Sequence, residues 1–287
     1  MHLKESAREV LAWHIEAGVD ETIGNEPVDR FALRKPPMAL QPAPQQAPKL
    51  VSAPPASEQT DAVNSALPLR PAPGSATAVN GENSVRTSVE LAEAATNVAE
   101  LRAALEAFDG CALKKTATNL VFIDGNPLAR LMFVGEAPGA EEDRQGLPFV
   151  GPSGQLLDKM LASIGIQRAD VLISNTVFWR PPGNRTPTPQ ETATCMPFLE
   201  RLVELTDPDI LVTLGGPAAK AMLGETQGVG RLRGRWFTYE TARMSHPVDA
   251  TAMFHPAYLL RSPGQKREAW RDLVAIQHRL GGHAGER

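Results

Sequence analysis

Cysteine is nearly absent from this chain: Cys111 and Cys195 are the two in 287 residues. That scarcity excludes a disulfide framework, and both are expected to remain thiols. No apolar run reaches the roughly 18 residues that a membrane span requires, so no membrane association is expected. The N-terminus lacks a basic region followed by an apolar core and a cleavage site, and the expected location is the cytoplasm, in association with the nucleoid. A basic excess is missing as well. Lys and Arg number 29 against 33 Asp and Glu, a net charge of -4, which excludes a globally basic DNA binder. What is present is a 42% hydrophobic content, enough for a sizeable core in one or two domains.

The charge is unevenly placed. Between Gly228 and Leu280 nine basic residues stand against four acidic ones, a local balance of +5 that leaves -9 for the remainder. A protein meeting a phosphate backbone with one face has this polarity, and so does an ordinary solvated helix over 264–280.

Three regions are expected. Residues 3–23 space Val10, Leu11, His14 and Val19 as one face of a short helix, and 1–33 form an N-terminal amphipathic segment that needs packing or a partner to persist. Residues 34–88 are a flexible Pro/Ala-rich linker, with 10 of the 25 prolines between Pro36 and Pro73. Residues 89–287 form the globular domain, opened by a helix over 89–108 with Ser88 as its cap. Strands near 120–123, 130–134, 171–174, 210–214 and 250–253 alternate with helices near 152–164, 189–205, 216–223 and 264–280. This alternation predicts a three-layer α/β/α sandwich around a mostly parallel sheet of four to five strands.

The most informative stretch follows the apolar run Leu131-Met132-Phe133-Val134. Gly135, Ala137, Pro138 and Gly139 end that strand abruptly and let backbone amides approach a flat ligand, with Glu136 at the floor of the crevice. From Gly135 to Asp158 the segment resembles the first signature of the uracil-DNA glycosylase superfamily, closest to the family 4 pattern GEAPGxxED followed by PFVGxxGxLLD. Two further blocks, ISNTVFWRPPGNRTPTPQE at 173–191 and FHPAYLLR at 254–261, match in the same order. The resemblance covers about residues 108–280. It implies the same fold and a monofunctional enzyme of base excision repair. Such an enzyme flips uracil out of single- or double-stranded DNA and hydrolyses the N-glycosidic bond to leave an abasic site.

The resemblance also implies roles. Phe149 stacks on the base, although on its own it reads as a core Phe beside the Pro148 turn. Asn175 donates to O4 and accepts from N3–H, although an Asn after a strand is ordinarily a turn former. His255 donates to O2, where negative charge develops as the bond breaks. Glu136 stabilises the oxocarbenium-like sugar and orients or deprotonates the water. Gly135 and Gly139 bring amides to the leaving base, and Glu142 lines the face where a thymine methyl would clash. Glu141 and Asp143 read as solvated or helix-capping charges. Tyr258, Leu259 and Leu260 form a minor-groove wedge beside the phosphate contact Arg261, or the leucines simply begin a core face. Arg180, Asn184 and Arg185 form one phosphate-binding loop, and Arg231, Arg233 and Arg235 a second. Both arginine sets read equally well as surface charge.

One departure stands out. Family 4 enzymes typically hold a [4Fe-4S] cluster on four cysteines, yet Phe108 and Trp179 occupy two of those positions and only Cys111 and Cys195 remain. Aromatic rings cannot ligate iron, so no metal or other cofactor is expected. The altered positions also leave open a non-catalytic DNA-binding or DNA-polymerase-associated module of the same fold. The N-terminal helix is the candidate recruiter of a repair or replication partner, and the protein is expected to be a monomer.

Overall fold

The computed structural model describes residues 75–282, with side chains from Gly81 onward. The helix expected over 3–23, its partner-recruiting role and the Pro-rich segment up to residue 74 lie outside the described residues.

The domain opens with α1 (Ser75–Ala94) and α2 (Val98–Ala107). The single helix expected over 89–108 is therefore two, broken by Asn97, whose side chain caps α2 by accepting the Glu100 amide at 2.9 Å. Glu100 reciprocates toward the Thr96 amide and hydroxyl, both at 2.8 Å. Ser88 is no cap: it lies buried within α1 and donates back to the Val85 carbonyl at 2.7 Å. Helix α1 thus crosses the boundary expected at 88 and belongs to the folded domain.

Then follow β1 (Asp124–Gly125), β2 (Leu131–Gly135), α3 (Ala140–Gln145), α4 (Pro152–Ala162), β3 (Leu172–Asn175), α5 (Pro189–Thr206) and β4 (Ile210–Leu214). After these come α6 (Gly216–Leu223), α7 (Val229–Leu232), β5 (Trp236–Tyr239), β6 (Val248–Met253), α8 (Pro256–Arg261) and α9 (Lys266–Gly282). Among the described residues the sheet has six strands in the order β1-β3-β2-β4-β6-β5. The inner four run parallel and the two edges antiparallel. Both departures from the expected four to five strands are at the edges. The 120–123 segment is not a strand of the sheet; its Val121 amide donates to the Phe178 carbonyl (2.9 Å) and its Phe122 carbonyl accepts the Ser174 hydroxyl (2.8 Å). Strand β5 escaped notice because a short, half-exposed edge strand carries no strong alternation.

Residues on the parallel strands divide strictly by period two. Met132, Val134, Leu172 and Leu211 face a core shared with α2 and α5, whereas Leu131, Phe133, Ile173, Ile210, Val212 and Leu214 face one shared with α4 and α9. Helices thus cover both sides, giving the three layers expected. On the first side α1 packs on α5, where the Gln190 side chain donates to the Gly81 carbonyl at 3.0 Å. α5 itself starts at a capping box between Thr188 and Glu191 with Pro189 in its first turn.

Phe108, Cys111, Trp179 and Cys195 all lie in this same core, each at most 2% exposed. Phe108 packs on Phe198 with ring centroids 5.2 Å apart, and Trp179 meets Phe178 edge-on. The Cys195 thiol donates to the Cys111 sulfur at 3.9 Å; that bond and burial hold the Cys195 thiol well above its ordinary range, in its unreactive protonated form. Removing the indole would leave a cavity that a packed core closes only in part. Trp179→Ala is expected to lower the unfolding free energy by ~3–5 kcal/mol in urea titrations, and Cys195→Ser by clearly less.

Candidate active site

The carboxyl ends of β2, β3, β4 and β6 open onto a single cleft of about 910 Å³. The chain leaves β2 toward β3 on one side and reaches β4 on the other, so the cleft lies where the strand order reverses, the expected place for a ligand in such a sheet. Its lining includes Glu136 after β2, Asn175 at the end of β3, Gly215 after β4 and His255 after β6.

The loop from β2 to α4 is folded around two side chains. Glu142 accepts the amides of Gly139 (3.1 Å), Val150 (3.0 Å) and Gly151 (2.9 Å). Glu142, expected on the face where a thymine methyl would clash, lines the cleft and also closes its own loop, and the Gly139 amide expected to reach a ligand is already engaged. From the opposite side Arg168 donates to the carbonyls of Pro148 (2.7 Å) and Phe149 (3.0 Å) while paired with Asp124 (2.7 Å) and Asp158 (2.9 Å). Asp143 is not a solvated charge either: it is buried and accepts the amides of Thr118 (2.8 Å) and Asn119 (3.1 Å).

Held in this way, Phe149 takes a left-handed backbone conformation (φ 54°) that is unfavourable for a side chain with a Cβ. Gly154 makes room for it, since a Cβ there would sit 1.8 Å from the Phe149 carbonyl oxygen. At Gly135 a Cβ would come within 2.4 Å of the Asn175 Oδ1 and 2.6 Å of the Phe149 ring, so the glycine brings ring and amide together at the strand exit. The Phe149 ring stacks on His255, centroids 5.5 Å apart.

Asn175 is 1% exposed, and neither its amide nitrogen nor its amide oxygen has a hydrogen-bond partner. A buried amide with both ends unpaired is costly, and such a group marks a place built for a ligand that presents one donor and one acceptor. His255 accepts the Ala257 amide at Nδ1 (3.1 Å), which puts the proton of the neutral ring on Nε2. Burial, aided by Arg261, lowers its pKa to about 4. Burial also lifts the Glu136 carboxyl above the usual glutamate range, while a hydrogen bond from the Thr186 side chain pulls it back. The main chain of Glu136 is fixed by its carbonyl, which accepts the Thr176 hydroxyl at 2.7 Å. The cleft thus offers a neutral donor, a two-ended amide reader, an aromatic face and a carboxylate.

The residues expected to meet DNA divide. Tyr258 and Arg261 line the cleft and Leu260 is 44% exposed, but Leu259 is 1% exposed, its side chain packed in the core, which removes it from the wedge. Arg233 is tied to Asp272 (2.8 Å) and Glu268 (3.1 Å), stacked over Phe254, and locks α7 to α9 without offering its charge to a phosphate. Arg185 and Asn184 line the cleft; Arg185 forks onto Glu191 (2.9 and 2.6 Å), and Arg180 donates to Asn184 (2.7 Å). Arg168, Gly154 and Thr186 were missed by sequence reasoning because their partners are distant in the chain or lack any local signature.

A fold and cleft of this kind define a base-excising hydrolase, and the sequence comparisons agree. The profile of the Uracil DNA glycosylase superfamily matches residues 122–274. The type-4 uracil-DNA glycosylase of Archaeoglobus fulgidus is 43% identical over 170 residues, 58% of this chain and 84% of that protein. The type-4 enzyme of Thermotoga maritima is 43% identical over 153 residues, covering 53% and 77% respectively. A DNA polymerase of Bacillus phage SP01 is 31% identical over 159 residues, 55% of this chain but only 16% of the polymerase. The chain belongs to the uracil DNA glycosylase superfamily, with its likeness to the type-4 members.

The residues at the position of the family's iron-sulfur cluster do not fit one. Two sulfurs 3.9 Å apart are surrounded by aromatic and aliphatic side chains, and no group of three His, Cys, Asp or Glu converges anywhere among the described residues.

The folded pKa of His255 lies below its ordinary value near 6.5, so on acidification the unfolded chain takes up this proton first. The group contributes a loss of stability as the pH falls from about 6.5 toward about 4 and none above that window. NMR of the imidazole is expected to show a neutral ring with its proton on Nε2 until the pH approaches about 4. Titration at the ordinary histidine value would contradict the assignment.

Proposed function

We propose that this protein is a uracil-DNA glycosylase that hydrolyses the N-glycosidic bond of deoxyuridine in DNA and leaves an abasic site. The observation that carries the reading is the buried Asn175 amide with both ends unpaired, beside the Phe149 face and the neutral His255 donor. Uracil presents a carbonyl O4 next to N3–H, which an amide satisfies as donor and acceptor at once; cytosine presents the reverse and leaves both ends repelled.

In this mechanism the nucleotide is flipped from the DNA and its base slides along Phe149 onto Asn175. As the C1'–N1 bond breaks, its electron pair passes into the uracil ring, and His255 Nε2–H donates to O2, where the charge collects. A neutral donor suffices because its hydrogen bond strengthens as charge develops in a site shielded from water. Glu136, ionised, faces the cationic sugar, orients the water whose oxygen forms the new bond to C1' and accepts the proton that this water loses, a proton that returns to the departing uracil anion through solvent. No lysine lines the cleft among the described residues, so the abasic sugar leaves without Schiff-base chemistry and strand scission. Tyr258 and Leu260 fill the space left by the flipped base, with Arg261 on a phosphate. The likeness to part of a phage polymerase favours a polymerase-associated module as a second reading, which predicts binding without turnover.

The test is release of uracil from single- and double-stranded oligonucleotides, read as alkali-labile sites. His255→Ala and Glu136→Ala should each lower kcat by roughly 100- to 1,000-fold with little change in DNA affinity. Because the Glu136 carboxyl is raised and must be ionised, activity should climb with pH through a limb above the ordinary glutamate value, and Glu136→Gln should abolish that limb. Absence of alkali-labile sites with intact DNA binding would establish the second reading instead.

We also infer that the protein works without an iron-sulfur cluster. The purified chain should be colourless, lack the visible absorbance of such a cluster and contain no stoichiometric iron. About four irons per chain would overturn this.

A further inference from the structure

Three large hydrophobic side chains stand exposed in one stretch of the chain: Tyr258 (36%), Leu260 (44%) and Trp270 (53%). Tyr258 lines the cleft, and both it and Leu260 belong to the expected wedge on α8. Trp270 does not, and nothing in the catalytic scheme uses it. Helix α9 buries Ala269, Asp272, Leu273 and Ile276 against the sheet. The 100° step of an α-helix puts Lys266, Trp270 and Arg267 side by side on the exposed flank next to that stripe, the indole between the two cations. Both cations are exposed and neither has an ion-pair partner among the described residues. A bare indole flanked by free positive charge on a chain of net charge -4 is a surface kept for an anion with a flat ring.

Its place in the fold identifies that anion. Gln265 and Arg261 line the cleft, and Lys266 follows Gln265 directly as the first residue of α9. Trp270 lies five positions past Gln265, a rise of roughly 7 Å along the helix, within reach of a nucleotide adjoining the one in the cleft. Resting on the glycosylase reading above, we propose that Trp270, with Lys266 and Arg267, is a stacking platform for an unpaired base of the strand flanking the excised uracil, so that this face selects single-stranded DNA. An exposed indole can stack only on a base whose face is free. In a duplex those faces are covered by neighbouring pairs, whereas a single strand offers them at each nucleotide. The two cations hold the connecting phosphates.

The test compares wild type with Trp270→Ala, Trp270→Phe and Lys266→Gln/Arg267→Gln, substitutions on an exposed face that leave the core intact. Binding is measured with uracil-free single-stranded and duplex oligonucleotides, and turnover with uracil in a long single strand, in a duplex, and in a minimal oligonucleotide too short to reach α9. Trp270→Ala should weaken single-strand binding about tenfold and raise KM on the long single strand by a similar factor. It should leave kcat, the duplex and the minimal substrate unchanged. Trp270→Phe should keep most of the affinity. The double substitution should flatten the salt dependence of single-strand binding by one to two counterions, roughly 0.7 per phosphate contact. Wild-type protein should lose more fluorescence than Trp270→Phe when single-stranded DNA is added. Unchanged single-strand binding in Trp270→Ala, or equal losses on single strand and duplex, would overturn the platform. Because the binding arms use DNA without uracil, they decide the question even if no uracil is released, an outcome that would instead overturn the glycosylase reading.

Discussion

The turn at Pro148–Gly151 is gripped from both sides, and the geometry of the cleft depends on that grip. Glu142 collects the amides of Val150 and Gly151 while Arg168 collects the carbonyls of Pro148 and Phe149. Charge-assisted bonds of this kind are stronger than neutral ones and directional. Together they offset the strain of Phe149 in a left-handed conformation, which in turn aims its ring across Gly135 toward Asn175 and His255. Arg168 also ties this loop to β1 through Asp124 and to α4 through Asp158, so the aromatic face is referenced to the sheet itself. A site that must discriminate bases by hydrogen bonds needs such rigidity, because a displaced amide reads nothing.

Burial does opposite things to the two titrating groups in the cleft, and both are useful. It drives His255 toward its neutral form and Glu136 toward its protonated form, since the charged state of each is the one that loses hydration. For the imidazole this yields a neutral ring with its proton on Nε2, the form that the proposed donor role requires. For the carboxylate, the Thr186 hydrogen bond works against burial and keeps the ionised form within reach.

The positive charge of the C-terminal third is of two kinds. Arg233 with Asp272 and Arg279 with Asp249 bind the elements of the domain to one another. Arg185 does likewise for the loop before α5 through Glu191. Of the cations left over, Arg261, Lys266 and Arg267 lie along α8 and the start of α9, Arg231 stands on α7 and Arg235 rests over the Phe237 ring. A charge count distinguishes a basic face from a neutral one but not a structural arginine from a ligand-binding one, because that depends on which acid the fold brings opposite.

How much was legible in the sequence follows from the range of each interaction. The parallel strands and the helices over 152–162, 189–206 and 216–223 are determined by local pattern, continuous apolar runs that end in abrupt glycine-proline exits, whereas the motif residues Glu136, Phe149, Asn175 and His255 were legible only through the resemblance of their three blocks to a known family. Edge strands β1 and β5, the break at Asn97 and the burial of Ser88 and Leu259 were not legible, because each is decided by a neighbour distant in sequence or by a face that only packing defines. The replacement of two cluster cysteines by Phe108 and Trp179 is visible in the letters alone. That these rings join Cys111 and Cys195 in one apolar core is a tertiary fact. The sequence by itself thus determined which chemical groups the protein has and on which strand ends they stand. The tertiary structure decided which of them remain unpaired, because a hydrogen bond from Glu142 or Arg168 exists only once residues far apart in the chain are brought within 3 Å or so.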